Sequence, residues 1–135
     1  MSKMNLKHAA PVIFAFLMLF ALASCSKTGV KDPTSLRGGE TRPTLSPLSY
    51  TGTTAVAYQA AREIPEILDS LYCYCECAKH SGHKSLLSCY VDEHAVNCDI
   101  CIDEALMAYD LHKQGKDVVA IREAVDARYS RGQHR

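Results

Sequence analysis

The chain has 135 residues, with 15 basic and 15 acidic side chains and a formal net charge of zero. It has no basic patch interleaved with aromatic residues, which excludes nucleic acid as a partner. Seven cysteines are the most informative feature of the composition, because few other residue types report so directly on compartment and chemistry.

The first 24 residues have the layout of an export signal. Lys3 and Lys7 give a positive start, an apolar run covers residues 9–23, and small residues follow. The apolar run is too short and wrongly flanked for a membrane span. Loss of both lysines with this leader leaves 13 basic against 15 acidic residues, so the mature chain has a net charge of about −2.

The stretch Leu22-Ala23-Ser24-Cys25 resembles the bacterial lipobox, in which a peptidase cuts before a lipid-modified cysteine. This resemblance implies cleavage after residue 24, with Cys25 as the lipidated N-terminus and the bilayer as a partner. We expect an exported bacterial lipoprotein in the cell membrane or outer membrane, with its domain facing the periplasm or the exterior. An uncleaved anchor helix and an ordinary secretory signal are the alternatives.

Residues 25–53 are predicted to form a flexible linker after the lipidated cysteine. They are rich in Ser, Thr, Pro and Gly and have only isolated apolar residues. Such a segment buries too little apolar surface to offset the entropy of ordering it.

Residues 54–135 are predicted to form one all-α domain of about three to four helices around a cysteine-rich loop. Apolar residues recur at helical spacing from Ala57 to Leu71, with Thr53 or Thr54 as N-cap and Pro65 forcing a kink or a second helix start. A further helix is predicted from Cys98 to Gln114, capped by Asp99 and ended by Gly115. Asp117 is the predicted N-cap of the last helix. A hydrophobic core of this size is only marginally stable by itself and usually needs disulfides or a bound metal, so the cysteines are expected to matter for folding.

Ligand-type side chains crowd into residues 73–101. In an extended chain, cysteines at i and i+2 have Cα atoms about 6.6 Å apart, which is poor for local disulfides. A curled loop would instead let the three thiols of the triplet, Cys73, Cys75 and Cys77, converge on one ion. The later C-x-x-C pair, Cys98 and Cys101, lies at a predicted helix start, where the helix dipole favours thiolate. The candidate metal ligands are Cys73, Cys75, Cys77, Cys89, Cys98, Cys101, His80 and His83. His94 is interpreted as a hydrogen-bonding or outer partner of this group.

Thiolate with some imidazole favours zinc or copper(I) over calcium or magnesium. One zinc ion needs four ligands, whereas six thiols are enough for a small copper(I) cluster, and the pattern does not choose between them. A c-type haem site is excluded because Ile102 follows the C-x-x-C pair where histidine would be required.

The stretches YCYCEC, GHKSLLSC, DEHAVNCDIC and LHKQGKDVVAIREAVD resemble the PCYCGC-motif family of exported bacterial proteins, many of them lipoproteins and functionally uncharacterised. The likeness covers most of residues 64–129. Cys73, Tyr74, Cys75 and Cys77 keep the motif, whereas Tyr72 replaces its proline and Glu76 its glycine. The resemblance implies a shared exported cysteine-rich domain and brings no activity with it.

The leading hypothesis is a membrane-anchored metal-binding protein, without enzymatic activity, that takes up zinc or copper for sensing, storage or transfer to a protein partner. The alternative is a module stapled by three disulfides, which an oxidising compartment and a small core would favour. A third hypothesis is a thiol–disulfide redox protein.

Overall fold

The computed structural model describes residues 32–130. The predicted leader and Cys25 lie outside these residues. Within them there are four α-helices, five short 3₁₀ helices and no strand, which confirms the predicted all-α class. The α-helices are α1 (Gly52–Glu63), α2 (Pro65–Asp69), α3 (Asp99–Lys113) and α4 (Val118–Tyr129). The 3₁₀ helices are Pro33–Leu36, Pro47–Ser49, Cys77–Lys79, Leu86–Tyr90 and His94–Asn97. None of the helices in this part of the chain has both the length and the apolar composition that crossing a bilayer requires.

Pro65 divides the first helical stretch in two. Ile64, at φ −126° and ψ 49°, leaves the helical conformation, ends α1 and precedes Pro65 at the first position of α2. Proline is tolerated there because the first-turn amide has no acceptor within the helix. Of the two outcomes predicted for Pro65, the second helix start is the one observed. The N-cap of α1 is Thr51 and not Thr53 or Thr54.

The two later helices begin and end close to their predicted bounds. Asp117 caps α4 by accepting a hydrogen bond from Ala120 N at 2.8 Å, as predicted. Gly115, at φ +79°, follows the end of α3. The cap of α3 is Cys98 and not Asp99: its Sγ accepts from Cys101 N at 3.4 Å. The N-cap position of α3 therefore places the Cys98 sulfur next to Cys101 in the first turn of the helix.

The core lies where α1 packs against α3 and α3 against α4. Small residues on the facing sides, including Ala57, Ala61, Ala105 and Ala108, let the helices approach closely, and all four are fully buried. Leu68, Leu71 and Leu86 extend this core to the base of the cysteine-rich loop. Four of the six described cysteines belong to the same buried cluster, so the site and the core are continuous.

The segment of residues 38–50 packs on the helical part, whereas the sequence predicted a flexible linker through residue 53. The buried Asp69 side chain accepts hydrogen bonds from Gly39 N and Glu40 N, both at 3.0 Å. Leu45 N donates to Tyr90 O at 2.8 Å. Tyr50 packs on Tyr58 with ring centroids 4.3 Å apart. Composition predicted disorder because this segment has only isolated apolar residues. Its backbone hydrogen bonds to Asp69 and Tyr90, with Leu45 and Tyr50 packed on the core, hold it in place.

Candidate metal centre

The triplet of cysteines lies on a closed loop. Leu86 N donates to Leu71 O at 2.9 Å, so the chain leaves the loop close to where it entered. Inside the loop the backbone turns at Glu76, which has φ +62° and ψ 21°. It is the only non-glycine residue with positive φ among residues 32–130. Glu76 N also donates to Cys73 O at 3.3 Å and closes a turn over residues 73–76, within which the Cys73 and Cys75 Sγ atoms lie 3.3 Å apart.

The remaining three cysteines come from two further elements. Cys89 lies in the 3₁₀ helix Leu86–Tyr90, and the buried Tyr90 hydroxyl ties this helix to α3 by donating to Cys101 O at 2.7 Å. Cys98 and Cys101 occupy the cap and first turn of α3. Both sulfur atoms therefore lie at the positive end of the helix dipole, where a bound anionic ligand is favoured.

The six thiols form one continuous group. The shortest Sγ–Sγ distance joins Cys98 and Cys101, at 2.9 Å. Cys73 lies 3.5 Å from Cys101 and 3.7 Å from Cys89. Cys75 lies 3.6 Å from Cys101, and Cys77 lies 3.4 Å from Cys89. All six are free cysteines, and these separations are well beyond the roughly 2.05 Å of a disulfide.

The Sγ–Sγ distances from Cys73 to Cys75, Cys89 and Cys101 and from Cys75 to Cys101, 3.3 to 3.7 Å, are close to those of a tetrahedral thiolate site. Zinc–sulfur bonds of about 2.3 Å place sulfur atoms about 3.8 Å apart around one ion. The group of Cys73, Cys75, Cys89 and Cys101 has all its sulfur atoms within 4.8 Å of one another. Two further groups meet the same limit: Cys75, Cys77, Cys89 and His94, and Cys75, His94, Cys98 and Cys101. The cysteine cluster can therefore hold a metal ion.

The histidines are arranged differently from the prediction. His94, which the sequence placed outside the ligand set, has its Nε2 atom 3.4 Å from Cys75 Sγ and belongs to two of the four-donor groups. His83 is buried, with Nδ1 3.4 Å from Cys89 Sγ and Nε2 3.3 Å from Asp92 Oδ2. His80 is exposed and contacts Ser81 Oγ at 3.0 Å, and it belongs to none of the three groups.

Asp92 connects the two inner histidines. Its Oδ2 atom faces His83 Nε2, and its Oδ1 atom accepts from His94 N at 2.8 Å. The Tyr58 hydroxyl donates to Asp92 O at 2.7 Å and fixes the backbone of this residue against α1. In metal sites, a carboxylate often accepts a hydrogen bond from the histidine ring nitrogen that does not bind the metal, and so fixes the orientation of the ring.

The protonation preferences of the thiols differ sharply within the group. Hydrogen bonds from the Cys73 and Cys89 thiols lower the pKa of Cys101 to about 6. The pKa of Cys89 is raised well above its ordinary value, first by its contact with Cys101 and then by Cys73. Burial is the main cause that raises the pKa of Cys75. Contact with Cys101 raises the pKa of Cys73, but hydrogen bonds from Cys77 and Cys89 outweigh it and leave this pKa lowered as well. The thiols therefore do not all ionise together, because adjacent like charges cannot all form without a cation to neutralise them.

Glu104 of α3 adds a carboxyl group next to the thiols. Its side chain is fully buried, and Oε1 accepts from Tyr74 N at 2.9 Å. Oε2 has no hydrogen-bond partner among the described residues. Burial is the main cause that raises the pKa of Glu104 to about 9, and the charge of Cys73 adds to it. Glu104 was not among the predicted site residues. Its spacing of three from Cys101 on a predicted helix was the available signal.

Fold and site together define a small all-α protein built around a buried thiol cluster. The chain belongs to the family described as protein of unknown function with PCYCGC motif, which matches residues 40–135 and confirms the predicted resemblance. The match begins inside the segment that packs on Asp69, in agreement with a folded region that starts before residue 54. Searches of curated proteins and of solved structures found no match to the chain.

Proposed function

We propose that this protein is a membrane-anchored, exported binding protein for a thiophilic metal, zinc or copper(I), and that it acts in metal sensing, storage or transfer. The observation that carries the proposal is the group formed by Cys73, Cys75, Cys89 and Cys101, in which four sulfur atoms converge from three separate elements. Thiolate and imidazole donors favour these ions over oxygen-preferring cations.

The distribution of exposure supports reversible binding. Cys73, Cys77, Cys89 and Cys101 are buried, whereas Cys75, His94 and Cys98 are half-buried. A cluster with one enclosed side and one side at the surface allows a partner's ligands to replace its own one at a time. Such stepwise exchange is what transfer to another protein requires.

Titration of the reduced protein with the metal alone tests the proposal. The described residues 32–130 belong to one compact unit, so a chain of residues 26–135 retains it and carries only the six domain cysteines. Zn²⁺ and, separately, Cu⁺ are added without oxygen in competition with a chromophoric chelator. We expect Kd values in the nanomolar range or tighter, as for other structural thiolate sites.

The variants to compare are Cys75→Ser, which removes a donor from all three four-donor groups, and His112→Ala, an exposed histidine of α3. Cys75→Ser should weaken binding by about 100-fold or more, and His112→Ala should leave it unchanged. Micromolar binding that neither substitution alters would overturn the proposal.

The anchor is a separate part of the proposal and rests on the lipobox-like residues 22–25. Full-length protein expressed in a bacterial host should fractionate with membranes and incorporate labelled fatty acid. A Cys25→Ser variant should lose both properties while its thiol cluster still binds metal. Membrane association of the variant equal to that of the wild type would contradict lipidation at this cysteine.

A thiol–disulfide redox role is the second candidate, favoured by the 2.9 Å contact between Cys98 and Cys101 Sγ and by the lowered pKa of Cys101. It requires this pair to oxidise readily while the rest of the cluster stays reduced. Equilibration in glutathione buffers followed by mass mapping distinguishes the two roles. A Cys98–Cys101 disulfide that persists in the presence of zinc would favour redox chemistry over metal binding.

A further inference from the structure

The cluster contains more donors than one ion uses. The three four-donor groups together comprise six thiols and His94, whereas a tetrahedral ion takes four ligands. Any two of the groups share two donors, and Cys75 belongs to all three. The groups are therefore not separate sites. They are overlapping positions around one central sulfur.

Resting on the proposed function, we infer that the centre is polynuclear and holds at least two thiophilic d¹⁰ ions, with the Cys75 thiolate bridging them. A thiolate sulfur has lone pairs for two metal ions, whereas one imidazole nitrogen has a single lone pair and serves one ion. Two ions can thus share Cys75 together with Cys101, or Cys75 together with Cys89. His94 Nε2 cannot bridge two ions, because its single lone pair serves one ion only.

Charge favours the second ion. One divalent ion held by four thiolates leaves a net charge of about −2 in a largely buried site, with two further thiols in contact with it. In the Cys73, Cys75, Cys89 and Cys101 group these are Cys77, at 3.4 Å from Cys89, and Cys98, at 2.9 Å from Cys101. A second divalent ion in either of the other two groups replaces the proton of one of these thiols and gains His94 as a neutral ligand, so the net charge changes from about −2 to about −1. The second ion therefore doubles the number of metal–ligand bonds and reduces the buried negative charge.

The position of Cys75 fits a bridging role. Its sulfur contacts donors from three elements: Cys73 of its own loop at 3.3 Å, His94 at 3.4 Å and Cys101 at 3.6 Å. No other donor in the cluster belongs to all three groups. Cys77, by comparison, belongs to one group only, which makes it the matched control.

Native mass spectrometry of the reduced chain of residues 26–135, titrated with Zn²⁺ alone and in a second series with Cu⁺ alone, tests the inference. The wild type should fill to two or more ions per chain. Cys75→Ser should hold at most one Zn²⁺, and Cys77→Ser should still hold two, because the two groups that share Cys75 and Cys101 remain complete. Cys75→Ser that still binds two Zn²⁺ ions would overturn the bridge.

Cadmium-113 NMR of the wild type gives a readout that does not depend on the folding of a variant. Two cadmium resonances that split each other would demonstrate a shared thiolate, and two unsplit resonances would refute it. Saturation at one ion with both metals would overturn the polynuclear centre and leave the proposed function standing. Failure to bind either metal would overturn both.

Discussion

Replacement of Glu104 by Gln should stabilise the metal-free protein, by an amount that grows with pH. The pKa of this carboxyl is about 9 in the folded chain against an ordinary value of 4.5. The folded state therefore binds more protons than the unfolded state between these values, and folding stability falls as pH rises through this window. At pH 7 the shift corresponds to about 3 kcal/mol of destabilisation, and below pH 4.5 to almost none.

Glutamine has nearly the same shape and keeps the acceptor for Tyr74 N but does not ionise. The difference in free energy of unfolding between Glu104→Gln and the wild type should widen by about 2.5 kcal/mol from pH 5 to pH 7. Urea denaturation of the reduced, chelator-treated chain measures it, with Glu123→Gln on the exposed side of α4 as the control for removing a charge. A difference that stays constant with pH would refute the claim that this carboxyl is buried in its neutral form.

Three further predictions follow from the same structure. A chain that begins at residue 54 should be less stable in urea than one that begins at residue 32, by about 3 kcal/mol or more, because Asp69 loses its backbone donors Gly39 and Glu40; equal stability would contradict the packing of this segment. Glu76→Gly should raise the unfolding free energy by up to about 1 kcal/mol, because glycine adopts its positive φ without steric cost, whereas Glu76→Ala should bring no gain. His94→Ala should weaken binding of the second zinc ion at least tenfold while the first is retained by Cys73, Cys75, Cys89 and Cys101, and His80→Ala should change neither, as competition titration would report; equal effects of the two substitutions would contradict the placement of His94 in the site.

Local patterns were sufficient to predict the helical elements. The spacing of apolar residues predicted the class, Asp117 and Gly115 marked the ends of two helices, and Pro65 marked the break between α1 and α2. These features depend on interactions within one turn of the chain, which a sequence displays directly. The packing of residues 38–50 depends on Asp69, about 30 residues away, and no local pattern carries that information.

The cysteine site shows the same difference between local patterns and contacts of distant residues. Six thiols in 29 residues predicted a cluster, because their number and spacing left few other arrangements in so short a segment. Which histidine lies beside the thiols depends on how the loop and the 3₁₀ helix His94–Asn97 fold back on each other. Spacing alone favoured His80 and His83 as ligands and did not indicate that His94 lies next to Cys75. Ligation by His80 and His83 stays a prediction. Glu76 was recognised as the residue that replaces the family's glycine, and its positive φ explains why glycine suits that position.

The proposed function requires the six domain cysteines to bind metal as thiolates. Elemental analysis combined with thiol counting, on the chain purified from the periplasm without chelator, tests this requirement. We expect zinc or copper at one or more ions per chain and thiols that react fully only after the metal is stripped. Absence of metal, with no reactive thiols and a mass lower by six hydrogens, would contradict it and favour a module stapled by three disulfides.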